Sequence, residues 1–256
     1  MLSDFQKHVL LSSYPIKGFN RGAETPSASG SGLLCRHKNK LFLFTVAHNT
    51  SNNLRWAIEL DYVPGKGAKL WCLSAPYFID QIKLDNEDPV SEAIKVAEVS
   101  TIDACLFRVE RDIEAFFQEY DQTELTPLGE KHKRLISDID FNLKPKQDDQ
   151  FAFSGQSEHE QYNNFKEIHI FAQTKIVEGL KFERDNEWQL EFKLPVKHQG
   201  HDFYKGVSGA PLINSSGGIV GLVTGGNTSD NTIYACPIKI FEYLIHFYSE
   251  ATQQGN

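Results

Sequence analysis

Apolar residues in this chain gather in short runs that polar or glycine-bearing turns cut off before a helix is built. Gly32-Leu33-Leu34-Cys35-Arg36-His37 is followed by Lys38-Asn39-Lys40 and then by Leu41-Phe42-Leu43-Phe44-Thr45-Val46. Two apolar runs split by a short polar turn read as a hairpin. A second hairpin is expected where Pro211-Leu212-Ile213 and Ile219-Val220-Gly221-Leu222-Val223 flank Ser215-Ser216-Gly217-Gly218. Further strands are expected over 54–62, which ends in the turn Pro64-Gly65-Lys66-Gly67, and over 68–73, 104–109, 151–153, 167–180 and 188–194. The 18 Phe and 9 Tyr against a single Met favour β structure in the same way. Ile113-Glu114-Ala115-Phe116-Phe117 reads as a short helical turn. In residues 238–250, Ile238, Phe241, Leu244, Ile245 and Tyr248 fall at the spacing of one longer helix.

The 256 residues are enough for one or two domains with a sizeable core. Apolar residues at 40% and charged residues at 23% exclude a wholly disordered chain. A net charge of −8 gives no basic footprint, so nucleic acid is not an expected partner. Neither is a membrane, because no run reaches the ~18 apolar residues of a spanning helix. The N-terminal MLSDFQKHVLLSSYPIKGF has no leader pattern. Cys35, Cys72, Cys105 and Cys236 match neither zinc spacing nor a disulfide scaffold, and buried free thiols in the cytoplasm are expected. His198 and His201 lie three apart, but no second cluster supports a metal, and no cofactor is expected. The polar stretch 121–150, with Lys131-His132-Lys133-Arg134, reads as a solvated connection. The expected division is 1–125, 126–150 and 151–256.

Three segments carry chemistry. An apolar strand runs into His48, Asp103 leads into the strand 104–107, and Ser208 lies between Val207 and Gly209 just before Pro211-Leu212. A serine hydroxyl needs a base within hydrogen-bond reach to act as a nucleophile near neutral pH. Imidazole suits that role, and a carboxylate on its other nitrogen fixes the tautomer and stabilises the imidazolium.

These segments resemble the trypsin-like serine peptidase family. Thr45-Val46-Ala47-His48 is similar to its Thr-Ala-Ala-His motif, and Asp103-Ala104-Cys105-Leu106 to its Asp-Ile-Ala-Leu motif. Gly206-Val207-Ser208-Gly209-Ala210-Pro211-Leu212 resembles Gly-Asp-Ser-Gly-Gly-Pro-Leu, and 221–226 resembles the substrate-lining strand. The resemblance spans about residues 30–240. It implies an all-β fold of two six-stranded antiparallel barrels, the first carrying His48 and Asp103, the second Ser208. It also implies a cleft between the barrels and a C-terminal helix packed on the second.

By the same resemblance the backbone amides of Gly206 and Ser208 form the oxyanion hole, and a protein or peptide is the substrate. Val207 stands where zymogen-activated members carry an aspartate, which leaves the oxyanion loop without its usual tether. Control by a regulatory protein or effector is therefore expected. Asn49 replaces a half-cystine that often follows the histidine. Asp202, six residues before Ser208, implies a preference for Arg or Lys before the cut if it lies at the pocket base; otherwise it is a solvated loop residue. Thr224, Gly226 and Thr232 are the other expected pocket residues. The alternative function is a non-catalytic peptide-binding module on the same fold.

Overall fold

In the computed structural model of the chain, residues 2–254 are described except 51, 52, 65, 84–97, 122, 123, 125, 165, 166 and 187. A capping box starts helix α1 (Asp4–Ser12): the Ser3 hydroxyl accepts from the Gln6 N–H, and the Gln6 side chain accepts from the Ser3 N–H. Neither the helix nor the strand after it is among the expected elements. That strand, β1 (Ser13–Phe19), contains Pro15, which pairs with β2 (Ala28–His37) at a position that β4 (Arg55–Val63) does not reach. A proline in a sheet survives where no ladder bond is asked of it.

The first expected hairpin is present. β2 turns into β3 (Lys40–Thr45) through Lys38 and Asn39, both at positive φ (46° and 62°), as a two-residue turn matched to strand twist requires. With β5 (Gly67–Cys72), β6 (Tyr77–Lys83) and β7 (Glu98–Val109) these strands form a seven-stranded antiparallel sheet in the order β5-β4-β1-β2-β3-β7-β6, one strand more than expected. In the second half β10 (Phe151–Asn164), β11 (Glu167–Asp185), β12 (Leu190–Lys193), β13 (Pro211–Asn214), β14 (Ile219–Asn227) and β15 (Thr232–Pro237) close into a six-stranded barrel. The fold is all-β with a C-terminal helix, α4 (Lys239–Gln254).

Several strands are apolar on both faces, which explains their unbroken apolar runs. In β3, Leu41 and Leu43 face a core inside the N-terminal sheet with Ile16, Ile58 and Phe107. Phe42 and Phe44 face the opposite way, into a core shared by both halves with Ile213, Leu222 and Phe241. In β13, Leu212 enters the barrel interior and Ile213 the shared core. Each large side chain so buried is worth ~1.5–3 kcal/mol.

The terminal helices cross over. α1 docks on the barrel half, with Gln6 Nε2 donating to Glu178 (2.7 Å) and the His8 ring against the Gly217 carbonyl (3.2 Å). α4 packs largely on the N-terminal sheet, not on the second barrel: Phe241 stacks on Phe44, and Tyr248 meets Phe42 and Tyr77 edge-on.

Two local expectations are corrected. Residues 113–117 are not a helical turn. Ile113 and Ala115 are buried while Glu114 is exposed, an alternation of period two, and the chain enters strand β8 (Phe116–Tyr120). Nor is 126–150 a solvated connection throughout. β9 (Pro127–Lys133) pairs with β8, and the next residue, Arg134, is buried. Its guanidinium donates to the carbonyls of Leu10 and Ser13 and lies over the rings of Tyr14 and Phe117. Burial pulls its pKa down to about 10, with the Glu59 carboxylate pulling the other way, so it stays charged at neutral pH. Arg134→Met is expected to cost ~2–3 kcal/mol, because it strands two buried carbonyls that a charged donor now satisfies. A lower denaturant midpoint at unchanged slope is the measurement.

Candidate active site

Thr45 ends β3, and its hydroxyl donates to the Ser31 carbonyl at 2.7 Å. The chain then turns into the short helix α2 (Ala47–Thr50), which presents His48 beside β7. On β7, Ile102 and Ala104 point into the shared core and Asp103 points out between them. One Asp103 oxygen accepts from the His48 backbone N–H and from Nδ1, both at 3.0 Å; the other accepts from Nδ1 at 2.8 Å. A carboxylate only accepts, so Nδ1 carries the proton and Nε2 the lone pair. The pair is part-exposed, 47% and 36% for the two side chains, so its weight lies in orientation more than in stability.

Ser208 sits in the loop between α3 (His201–Tyr204) and β13. Two glycines shape this loop. Gly206 and Gly209 have φ of +85° and +89°, and a Cβ on either would lie 2.2 Å from the Gln156 carbonyl or 2.0 Å from that of Ser31. Among the described residues, no acceptor pairs with the N–H of Gly206 or Ser208, and both residues line the cavity that His48 also lines. Two unspent donors beside a hydroxyl can hold an anion that forms on the attacked group.

The loop that carries Ser208 is held by contacts other than the one an aspartate at 207 would make. Val207 itself is buried in the barrel core with Phe153 and Val223. Ser31, at 1% exposure, donates from its hydroxyl to the Gly206 carbonyl (2.9 Å) and from its backbone to the Ser208 carbonyl (2.9 Å). Asn49 Nδ2 donates to the same Ser208 carbonyl at 2.8 Å and lies over Gly30, where a Cβ would be 2.5 Å from it. Asn49 thus links the halves by a hydrogen bond, and nothing in the sequence around Ser31 signals its part.

The cavity has a volume of about 670 Å³ and brings together His48, Ser208, Gly206, Asp202, Thr224 and Gly226. Thr232 does not line it. Neighbouring residues of a strand face opposite ways, and in β15 it is Ile233 that reaches the cavity, while the Thr232 hydroxyl meets Lys193 Nζ at 3.2 Å. Asp202 lines the cavity from the first turn of α3, where it is exposed, so the buried carboxylate on which a basic preference rests is not there. His198, unassigned in the sequence, forms part of the wall. All four cysteines are free, three of them buried, but Cys72 is exposed at the end of the edge strand β5. Burial pushes the Cys105 thiol up to about 12, with the nearby Asp103 charge acting in the same direction.

A scan against protein-family models finds no match, and a search of curated proteins finds none either. Solved structures do match. Neuropsin, a serine protease of mouse brain, superposes with a TM-score of 0.55 at 14% identity over 94% of this chain and 96% of its own. Human heparin binding protein superposes at 0.52 and 12% identity over 96% of this chain and 92% of its own. This chain also covers 66% of the serine endoprotease from Yersinia pestis, with a TM-score of 0.49 and 12% identity. The fold is that of chymotrypsin-type serine proteases.

Proposed function

We propose that the protein is a serine endopeptidase that cleaves peptide bonds through an acyl-enzyme. The observation that carries this is the Asp103 carboxylate held on Nδ1 of His48 beside the cavity that also holds Ser208 and the unspent amides of Gly206 and Ser208. His48 Nε2 takes the Ser208 proton as Oγ attacks the substrate carbonyl. The two amides receive the negative charge of the tetrahedral intermediate. The imidazolium returns the proton to the leaving amine, and a water repeats the cycle on the ester.

A heparin-named neighbour is what favours the second reading, a binding module on the same fold. Labelling with a fluorophosphonate separates the two. Adduct on Ser208, absent in Ser208→Ala, supports the enzyme, and a wild-type protein that stays unlabelled overturns it.

The rest of this reading follows from the same residues. Val207 offers no carboxylate to a new N-terminal ammonium, which supports control by a regulatory protein or effector over control by chain cleavage. Free thiols support a reducing compartment such as the cytoplasm. A preference for Arg or Lys would rest on Asp202, whose exposed charge is screened and weak.

Ser31 is a positioning residue in this reading. Its hydroxyl fixes the peptide plane that lies between the two oxyanion donors. Ser31→Ala is expected to lower kcat by ~3–10-fold with KM nearly unchanged, the size of one hydrogen bond realised in the transition state. Ser31→Thr, which keeps the hydroxyl, should recover most of that loss. A purely structural role would lower the melting temperature and leave kcat in place.

A further inference from the structure

His198 is 6% exposed and packs against the Tyr204 ring, with centroids 4.5 Å apart. The Gly200 N–H donates to its Nδ1 at 3.0 Å. A backbone N–H can only donate, so this nitrogen holds the lone pair and the neutral ring carries its proton on Nε2. Burial, and then the neighbouring His201, lower the pKa and keep the ring neutral. Nε2 abuts Gly226 on the cavity wall, close enough that a Cβ there would lie 2.8 Å away. Among the described residues this N–H has no acceptor, and it is not sealed from the cavity. The wall therefore offers one fixed, unspent, uncharged donor.

We propose that His198 selects a carboxamide side chain, Gln or Asn, at the residue before the scissile bond; this rests on the endopeptidase reading. The carbonyl of a carboxamide accepts from Nε2–H. Its NH₂ finds acceptors on the same cavity in the Asp202 carboxylate and the Thr224 hydroxyl. A Glu side chain supplies the acceptor but brings a charge that a neutral imidazole does not balance. A basic side chain supplies only donors and meets a donor at His198. An apolar side chain leaves Nε2–H unpaired, and sites built around a hydrogen bond discriminate strongly against partners that lack it.

The test is kcat/KM on peptides identical except for Gln, Asn, Glu, Arg or Leu before the cut. Wild type is compared with His198→Phe, which removes the donor, and His198→Gln, which keeps one; fluorophosphonate labelling of Ser208 runs alongside. The expected result is a ~10-fold or greater preference for Gln or Asn over the rest, flattened in His198→Phe and partly restored in His198→Gln. A different preferred residue in wild type overturns the proposal, whatever the variants do. So does an equal loss on every peptide in His198→Phe, which would assign the donor to the substrate backbone. So does a labelled Ser208 with none of the peptides cut; in all three cases the labelled serine leaves the endopeptidase reading standing. An unlabelled wild-type protein overturns both.

Discussion

Ser208→Ala is expected to lower peptide turnover by ~10⁶-fold, the loss seen when the nucleophile of such a triad is removed. The size follows from what remains. Without Oγ, neither the His48 lone pair nor the Gly206 and Ser208 amides have an alkoxide to generate or a covalent intermediate to hold, so only binding and polarisation of the carbonyl survive. Ser208 is half-buried at the cavity wall, and the bonds that hold its loop run through main-chain carbonyls, from Ser31 and Asn49. Stability should therefore change by less than ~0.5 kcal/mol. Steady-state hydrolysis and a melting curve check both halves of the expectation. Hydrolysis at the wild-type rate would remove Ser208 from the mechanism.

Asp103→Asn should be the next most damaging change, by ~10⁴-fold in kcat. The geometry says why. One carboxylate oxygen serves the His48 backbone N–H and Nδ1 together, and the other serves Nδ1 alone. A carboxamide that keeps its oxygen on the backbone N–H turns its NH₂ toward Nδ1. Two donors cannot face each other, so the imidazole shifts its proton to Nε2 and loses the lone pair that should receive the serine proton. Substrate binding is untouched, so KM should hold while kcat collapses. A loss shared by kcat and KM would indicate displacement of the ring, not the wrong tautomer.

Both the fold class and the candidate triad leave marks in the sequence. His48, Asp103 and Ser208 declare themselves because the chemistry dictates the residue types and strand ends dictate their surroundings. What escaped the sequence is what depends on partners far along the chain. Ser31 reaches Gly206 across 175 positions, and neither residue's neighbours hint at it. Arg134 ends a run of basic residues that looks solvated, yet its burial is decided by the carbonyls of Leu10 and Ser13. Asp202 has the right spacing for a pocket base, but spacing does not report burial, and a short helical turn leaves its side chain exposed where it lines the cavity. β1 is obscured by its proline, while the serine and glutamine that open α1 are a signal legible in the sequence.

The exchange of terminal helices sets the order in which the molecule can be completed. A nine-residue helix such as α1 has little stability alone, and its seat on the barrel is made by β10, β11 and β13 and the turn after β13, all in the second half of the chain. The sheet bearing His48 and Asp103 leaves the ribosome first, but Phe42 and Phe44 stay uncovered until α4 is made. The first element made thus docks on the half made second, and neither half has a finished surface without the other's end of the chain. The two halves should melt together in one transition, and Ser208 should meet His48 only when the whole chain has closed on itself like a clasp.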